Sequence, residues 1–213
     1  MRRRPILIAP FDAELFGHWW FEGHMWLEAV IRKSAENADQ IQLISPSDYL
    51  KKYQKNQTGS LSFSSWGYKG YGEFWLNNTN DWIYRHMHAA EKNMIYLADC
   101  YDKIKNSKDS AKRIILRAIN QAARELMLLE SSDWPFILKA GVMVPYAELR
   151  IKQHVGRFIR IYNDIINDTI DLNWLKEVEK RDNIFADIKC ALYYQRSTYK
   201  KCGLVLHNML NTL

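Results

Sequence analysis

Two short apolar runs limit what this chain can build. Residues 6–11, Ile-Leu-Ile-Ala-Pro-Phe, are continuously apolar with no polar alternation, and residues 41–44, Ile-Gln-Leu-Ile, form a second short run. The first pattern is that of a strand buried on both faces of a parallel sheet. Between them Leu27, Val30, Ile31 and Ser34 recur at helical spacing, so the order strand, helix, strand reads as a piece of an α/β layer. Two strands of this kind cannot cover each other's edges. The expectation is therefore that the rest of the sheet lies upstream of Met1.

Beyond Asn80 the pattern changes. Apolar residues return at helical period over about 80–105, 110–130, 134–140, 145–167, 172–180 and 186–210, with Gly141 and Pro145 marking a stop and a restart. Ser45-Pro46-Ser47-Asp48 supplies an N-cap, a proline at the first helical position and an acid in the first turn, which predicts a helix over Tyr49 to Tyr53. Between these regions, residues 54–72 hold four of the nine glycines and no helical period. They read as a long loop, and long loops in compact domains are often functional.

Composition narrows the class further. With 47% hydrophobic and 25% charged residues, the 213-residue chain is a packed protein, neither disordered nor collagenous. Cys100, Cys190 and Cys202 are odd in number and far apart, which predicts free thiols in a reducing compartment. The apolar run that follows Arg2 to Arg4 ends at Asp12, too short for a membrane span and wrongly continued for a signal peptide. A cytoplasmic protein with no membrane partner is expected. The net charge of +6 suits solubility, and its spread along the chain argues against nucleic acid as a partner.

Several residues could carry chemistry. Asp12 ends the first predicted strand, the position where parallel α/β architectures place their sites, although an Asp there also serves as a helix cap. Glu14 and His18 follow within six residues, and they read more readily as a surface carboxylate and a satisfied buried imidazole than as catalytic groups. Trp66 sits in the Gly-rich loop between Ser64-Ser65 and Gly67, with little local apolar company, so its ring is a candidate stacking surface for a sugar or a base. Asp133, in Ser131-Ser132-Asp133-Trp134-Pro135-Phe136, is either a helix cap or a ligand contact. His86 and His88 point to different sides of a helix, and no Cys/His cluster, phosphate-cradling loop or nucleophile elbow is present.

Ala9-Pro10-Phe11-Asp12-Ala13-Glu14-Leu15-Phe16-Gly17-His18-Trp19-Trp20-Phe21-Glu22-Gly23 resembles the acid/base motif of glycoside hydrolase family 57, in its 1,4-α-glucan branching enzyme branch. Ser64-Ser65-Trp66-Gly67, Gly70-Tyr71, Trp75-Leu76-Asn77 and Asn80-Asp81-Trp82-Ile83-Tyr84-Arg85-His86 resemble the family's next stretch, in the same order. Ser131 to Phe136 follows suit, and Asp182 to Ile188 resembles the closing motif, with Ala186 where the family has Pro. Val142 stands where relatives often carry a Gln.

The resemblance implies a mainly α fold: the last strand-helix part of a (β/α)7 barrel followed by an all-helical C-terminal domain. It assigns residues 1–53 to the barrel remnant, 54–79 to a Trp/Gly-rich substrate loop, 80–189 to the helical domain, and leaves 190–213 as a tail outside the likeness. Asp12 matches the general acid/base. Trp66, Asp133, Trp75, Trp19 and His18 match substrate-binding positions. The implied partners are an α-1,4-glucan and the N-terminal barrel half that carries the nucleophile, with no cofactor and no metal. The expected function is that of a C-terminal fragment of a branching enzyme, inactive alone. The alternative is a non-catalytic α-glucan-binding remnant.

Overall fold

A computed structural model describes residues 4–188 and residue 190. Its elements are seven α-helices: α1 (Gly23–Glu36), α2 (Pro46–Lys52), α3 (Trp82–Ile104), α4 (Ser110–Leu129), α5 (Asp133–Ala140), α6 (Val144–Ile166) and α7 (Leu172–Arg181). A single π-helical turn spans Leu15–Trp19 and a short 3-10 turn Tyr68–Gly70. The chain divides into two compact units between Ser62 and Phe63.

The first unit departs from the sequence expectation. Residues 6–11 and 41–44 are not strands, and the described residues contain no strand. A buried parallel strand needs a ladder on each side, and the second run does not pair with the first to supply one. The apolar side chains meant for a sheet interior face water instead: Leu7 is 94% exposed and Ile8 67%. Just before the first run Tyr49 Oη of α2 donates to Arg4 O at 3.1 Å, and at its end the Phe11 ring packs edge-on against Phe16 at 5.8 Å. The start of α2 follows its sequence, since Ser45 Oγ accepts from Asp48 N at 3.1 Å and Pro46 occupies the first turn.

The second unit holds the core. Helices α3, α4 and α6 pack around Leu97, Met94, Ile119, Leu126, Ile151, Phe158 and Ile161, all of them buried. Burying each such side chain contributes about 1.5–3 kcal/mol. Ala118, Ala122 and Ala123 are buried on α4, and such small side chains let helix backbones come close. Caps set the ends. Asp109 accepts from Ala111 N and Lys112 N at the start of α4, and Asp171 from Asn173 N and Trp174 N at the start of α7. Gly141, at φ 73°, ends α5 in the left-handed conformation, and Pro145 lies in the first turn of α6.

The helices expected over 80–105, 110–130, 134–140, 145–167 and 172–180 thus appear within a residue or two of those bounds. The helix expected over 186–210 falls outside the described residues apart from 186–188 and 190.

Candidate functional site

The loop that leads into α3 folds around one aromatic cluster. Trp66 packs against Phe74 (ring centroids 5.3 Å apart), Trp75 (6.1 Å) and Phe136 of α5 (5.8 Å), while Phe74 stacks on Phe136 at 5.1 Å. Gly67 makes the turn possible: its φ is +92°, and a Cβ there would come within 2.5 Å of the Phe74 ring. Ser65 Oγ accepts from Gly72 N at 2.6 Å, and Ser65 N donates to Gly70 O at 2.7 Å, closing the loop on itself. Tyr84 Oη donates to Trp75 O and so ties the same segment to α3. Although anchored on one side, Trp66 remains 59% exposed, whereas Trp75 is half-buried. The fixed and partly open ring is suited to stacking against a flat apolar ligand face.

Asp133 begins α5, one turn before Phe136. Its carboxylate accepts from Ser131 Oγ at 3.2 Å and makes no helix-capping hydrogen bond, so the side chain is exposed and held from one side. Trp66 and Trp75 thus share one aromatic cluster, which reaches α5 through Phe136, three residues after Asp133.

Asp12, His18 and Trp19 belong to the first unit. Asp12 is exposed and its carbonyl accepts from Leu15 N at 3.2 Å, which starts the π turn. Such single turns recur at functional sites. His18 and Trp19 lie side by side, ring centroids 5.8 Å apart, both exposed. Under them Phe16 stacks on Trp26 at 6.1 Å and Trp20 packs on Trp26 at 5.3 Å. Gly23 permits this, since a Cβ there would sit 2.9 Å from Phe16 Cα.

A polar cluster that the sequence reading missed lies inside the helical unit. Glu125 Oε2 is 2.7 Å from His154 Nδ1, and Glu125 Oε1 accepts from Gln121 Nε2 at 2.9 Å. Arg157 Nη1 donates to Asp182 Oδ2 at 2.6 Å and lies 3.8 Å from Glu125 Oε2. Arg124 donates to Gln121 Oε1, Phe185 O and Ala186 O, fastening the closing motif to α4. Burial pushes the Glu125 carboxyl up, against the hydrogen bonds from His154 and Gln121 that pull it down. Glu125, His154 and Asp182 bring three potential metal-ligand atoms within 4.8 Å of one another. The guanidinium of Arg157 already sits between the two carboxylates and that of Arg150 lies 3.8 Å from Asp182 Oδ1, so the chemistry of the cluster is that of a buried ion-pair network. The sequence did carry a signal for it. Gln121, Arg124 and Glu125 fall on the same helical face as Ala118, Ala122 and Leu129, and His154 and Arg157 share the face of Ile151, Phe158 and Ile161.

The model for the C-terminal region of 1,4-alpha-glucan branching enzymes matches residues 86–193. The chain belongs to this family. A 1,4-alpha-glucan branching enzyme of Thermococcus kodakarensis is 32% identical over 197 residues, covering 88% of this chain and 27% of that enzyme. A crystal structure of that enzyme in complex with glucose matches at a TM-score of 0.70 with 31% identity, over 89% of this chain and 34% of the other. The family 57-type branching enzyme of Pyrococcus horikoshii matches at 0.70 with 36% identity, over 89% of this chain and 35% of the other. An alpha-amylase of Thermotoga maritima matches at 0.66 with 37% identity, over 92% and 35%. This branching enzyme C-terminal domain thus spans about a quarter of the length of the curated relative it matches. Among the described residues no helix is long and apolar enough to cross a membrane.

Proposed function

We propose that this branching enzyme C-terminal domain forms one wall of an α-glucan cleft and works with a nucleophile-bearing barrel half to make α-1,6 branches. The observation that carries the reading is the aromatic cluster in which Trp66, held by Phe74, Trp75 and Phe136 yet half open to solvent, meets the helix that Asp133 begins. In this reading residues 1–53 complete the barrel, 54–79 form the substrate loop, 80–189 form the helical wall, and 190–213 stand outside the shared part.

Retaining glycosidic chemistry needs two carboxylates about 5–5.5 Å apart, one attacking the anomeric carbon and one acting first as acid and then as base. Asp12 takes the second role. It protonates the departing glycosidic oxygen while the partner carboxylate forms the glycosyl-enzyme bond, then takes the proton from the 6-hydroxyl of an acceptor glucan as that oxygen attacks. Glu14 and Glu22 lie within the acid/base motif and leave the nucleophile to the other half. Trp66 and Trp75 stack on sugar faces, Asp133 accepts from glucan hydroxyls, and His18 and Trp19 line the approach to Asp12. The cleft must exclude water, so that a sugar hydroxyl rather than water completes the transfer. The scheme draws on no cofactor or metal.

Mixing this chain with the nucleophile-bearing half and amylose tests the reading by counting α-1,6 linkages. The expected result is branching by the mixture and by neither half alone; no branching, or free maltooligosaccharides alone, overturns it. A second reading, a glucan-binding remnant without chemistry, is favoured by the fact that Trp66, Trp75 and Asp133 all belong to one packed unit. It predicts maltoheptaose binding by this chain with no branching in any mixture.

A further inference from the structure

Asn80 is fully buried between the aromatic loop and α5. Its Nδ2 donates to Phe74 O and to Pro135 O, each at 3.0 Å, and its Oδ1 accepts from Asn77 N at 2.8 Å. The side chain thus spends both donors on two segments far apart in sequence, Phe74 in the loop and Pro135 in α5. Pro135 is two residues after Asp133, and Phe74 touches Trp66 and is followed directly by Trp75. Across the same junction Phe74 and Trp66 also pack on the Phe136 ring. Stacked rings can slide, whereas two hydrogen bonds from one planar amide fix both distance and direction. An amide buried at this depth is costly unless its bonds are made, so the site has one well-defined arrangement.

We propose that Asn80 is a positioning residue that holds Trp66 and Asp133 in one fixed geometry, so that stacking and hydrogen bonding engage the same stretch of an α-1,4-glucan. Asn80 touches no sugar itself; it acts through the loop and through α5. The proposal rests on the glucan-cleft reading above for its ligand, and on the two backbone contacts for its geometry.

The test uses the full chain and its Asn80→Ala, Trp66→Ala and doubly substituted variants, with maltoheptaose as the probe. Calorimetric titration is expected to show about tenfold weaker binding for Asn80→Ala, and a double variant that loses clearly less than the two single losses combined, because both changes remove the same Trp66 stacking while only Asn80→Ala also releases Asp133. Additive losses would overturn the proposal, since a residue that merely aids folding does not act through Trp66. Hydrogen exchange on the same variants is independent of any sugar. Asn80→Ala should speed exchange in residues 63–77 and 133–140 while leaving the middles of α4 and α6 unchanged. Unchanged exchange in both segments overturns the coupling. If the unaltered chain fails to bind maltoheptaose, the glucan reading falls, while the coupling is still decided by exchange. If Asn80→Ala does not fold, Asn80→Ser, which can keep one of the two backbone contacts, is read by the same two measurements.

Discussion

Arg157 and Asp182 form an ion pair at 2.6 Å in which both side chains are almost wholly withdrawn from water. The pair ties α6 to the start of the closing motif, which Arg124 holds from α4 through Phe185 O and Ala186 O. Phe185 lies at φ +52°, a backbone conformation a bulky residue rarely adopts, and its carbonyl accepts from Arg124 Nε at 3.4 Å. Removing Arg157 leaves buried Asp182 with only the longer 3.8 Å contact to Arg150, and takes the guanidinium away from buried Glu125 as well. Arg157→Ala should therefore lower stability by about 3–5 kcal/mol, read as a fall in the urea midpoint. A change below about 1 kcal/mol, typical of an exposed pair, would contradict the burial.

Gly67 offers a second check. The +92° φ and the 2.5 Å approach of an added methyl to the Phe74 ring leave no room for alanine. Gly67→Ala should cost about 1–3 kcal/mol through strain and overpacking. Near-UV circular dichroism should also change, as Trp66 and Phe74 separate. An unchanged spectrum would mean the loop does not depend on this turn.

The Glu130 carboxyl, at the end of α4, is pushed up to about 7 by burial, with the charge of Glu91 adding to the effect. Its folded value stands above its ordinary 4.5, so its contribution to stability is complete below about 4.5 and is lost as pH rises through about 7. Glu130→Gln, which cannot ionise, should gain in Tm relative to the unaltered chain between pH 5 and pH 8. A difference that stays flat across that interval would contradict the shift.

Burial pushes the Cys100 thiol up to about 11 and the Cys190 thiol up to about 12. Both are free and buried, so neither presents a thiolate at neutral pH. Iodoacetamide at pH 7.5 should leave the peptides carrying them unmodified in the native chain and label them in urea. Rapid native labelling would show that the core opens readily.

The helical unit was legible because its faces repeat at 3.6 residues and Gly141 and Pro145 mark a stop and a restart between helices, whereas the caps at Asp109 and Asp171 emerge only from the structure. The runs at 6–11 and 41–44 were read as strands because apolar content marks what wants burial, but a strand also needs a partner, and residue pattern alone does not supply one. Trp66 and Asp133 stood out by local context, an isolated ring in a polar loop and an acid between two helices. Asn80 did not, because an asparagine at a helix start reads as a turn residue until Phe74 and Pro135 are seen to meet around it. The network of Glu125, His154, Arg157 and Asp182 was hidden for a related reason. Charged residues are ordinarily taken as solvated, and the pairing of α6 with residue 182 crosses a helix and a turn.

The role of Asp12 is the central claim, and one measurement addresses it most directly: α-1,6 branch formation from amylose by this chain combined with the nucleophile-bearing half, with and without Asp12→Asn. The Asp12→Asn change is expected to reduce branching by roughly 10²–10⁴-fold, with maltoheptaose binding by the chain unchanged. Branching at the unaltered rate by the Asp12→Asn pair would contradict the account.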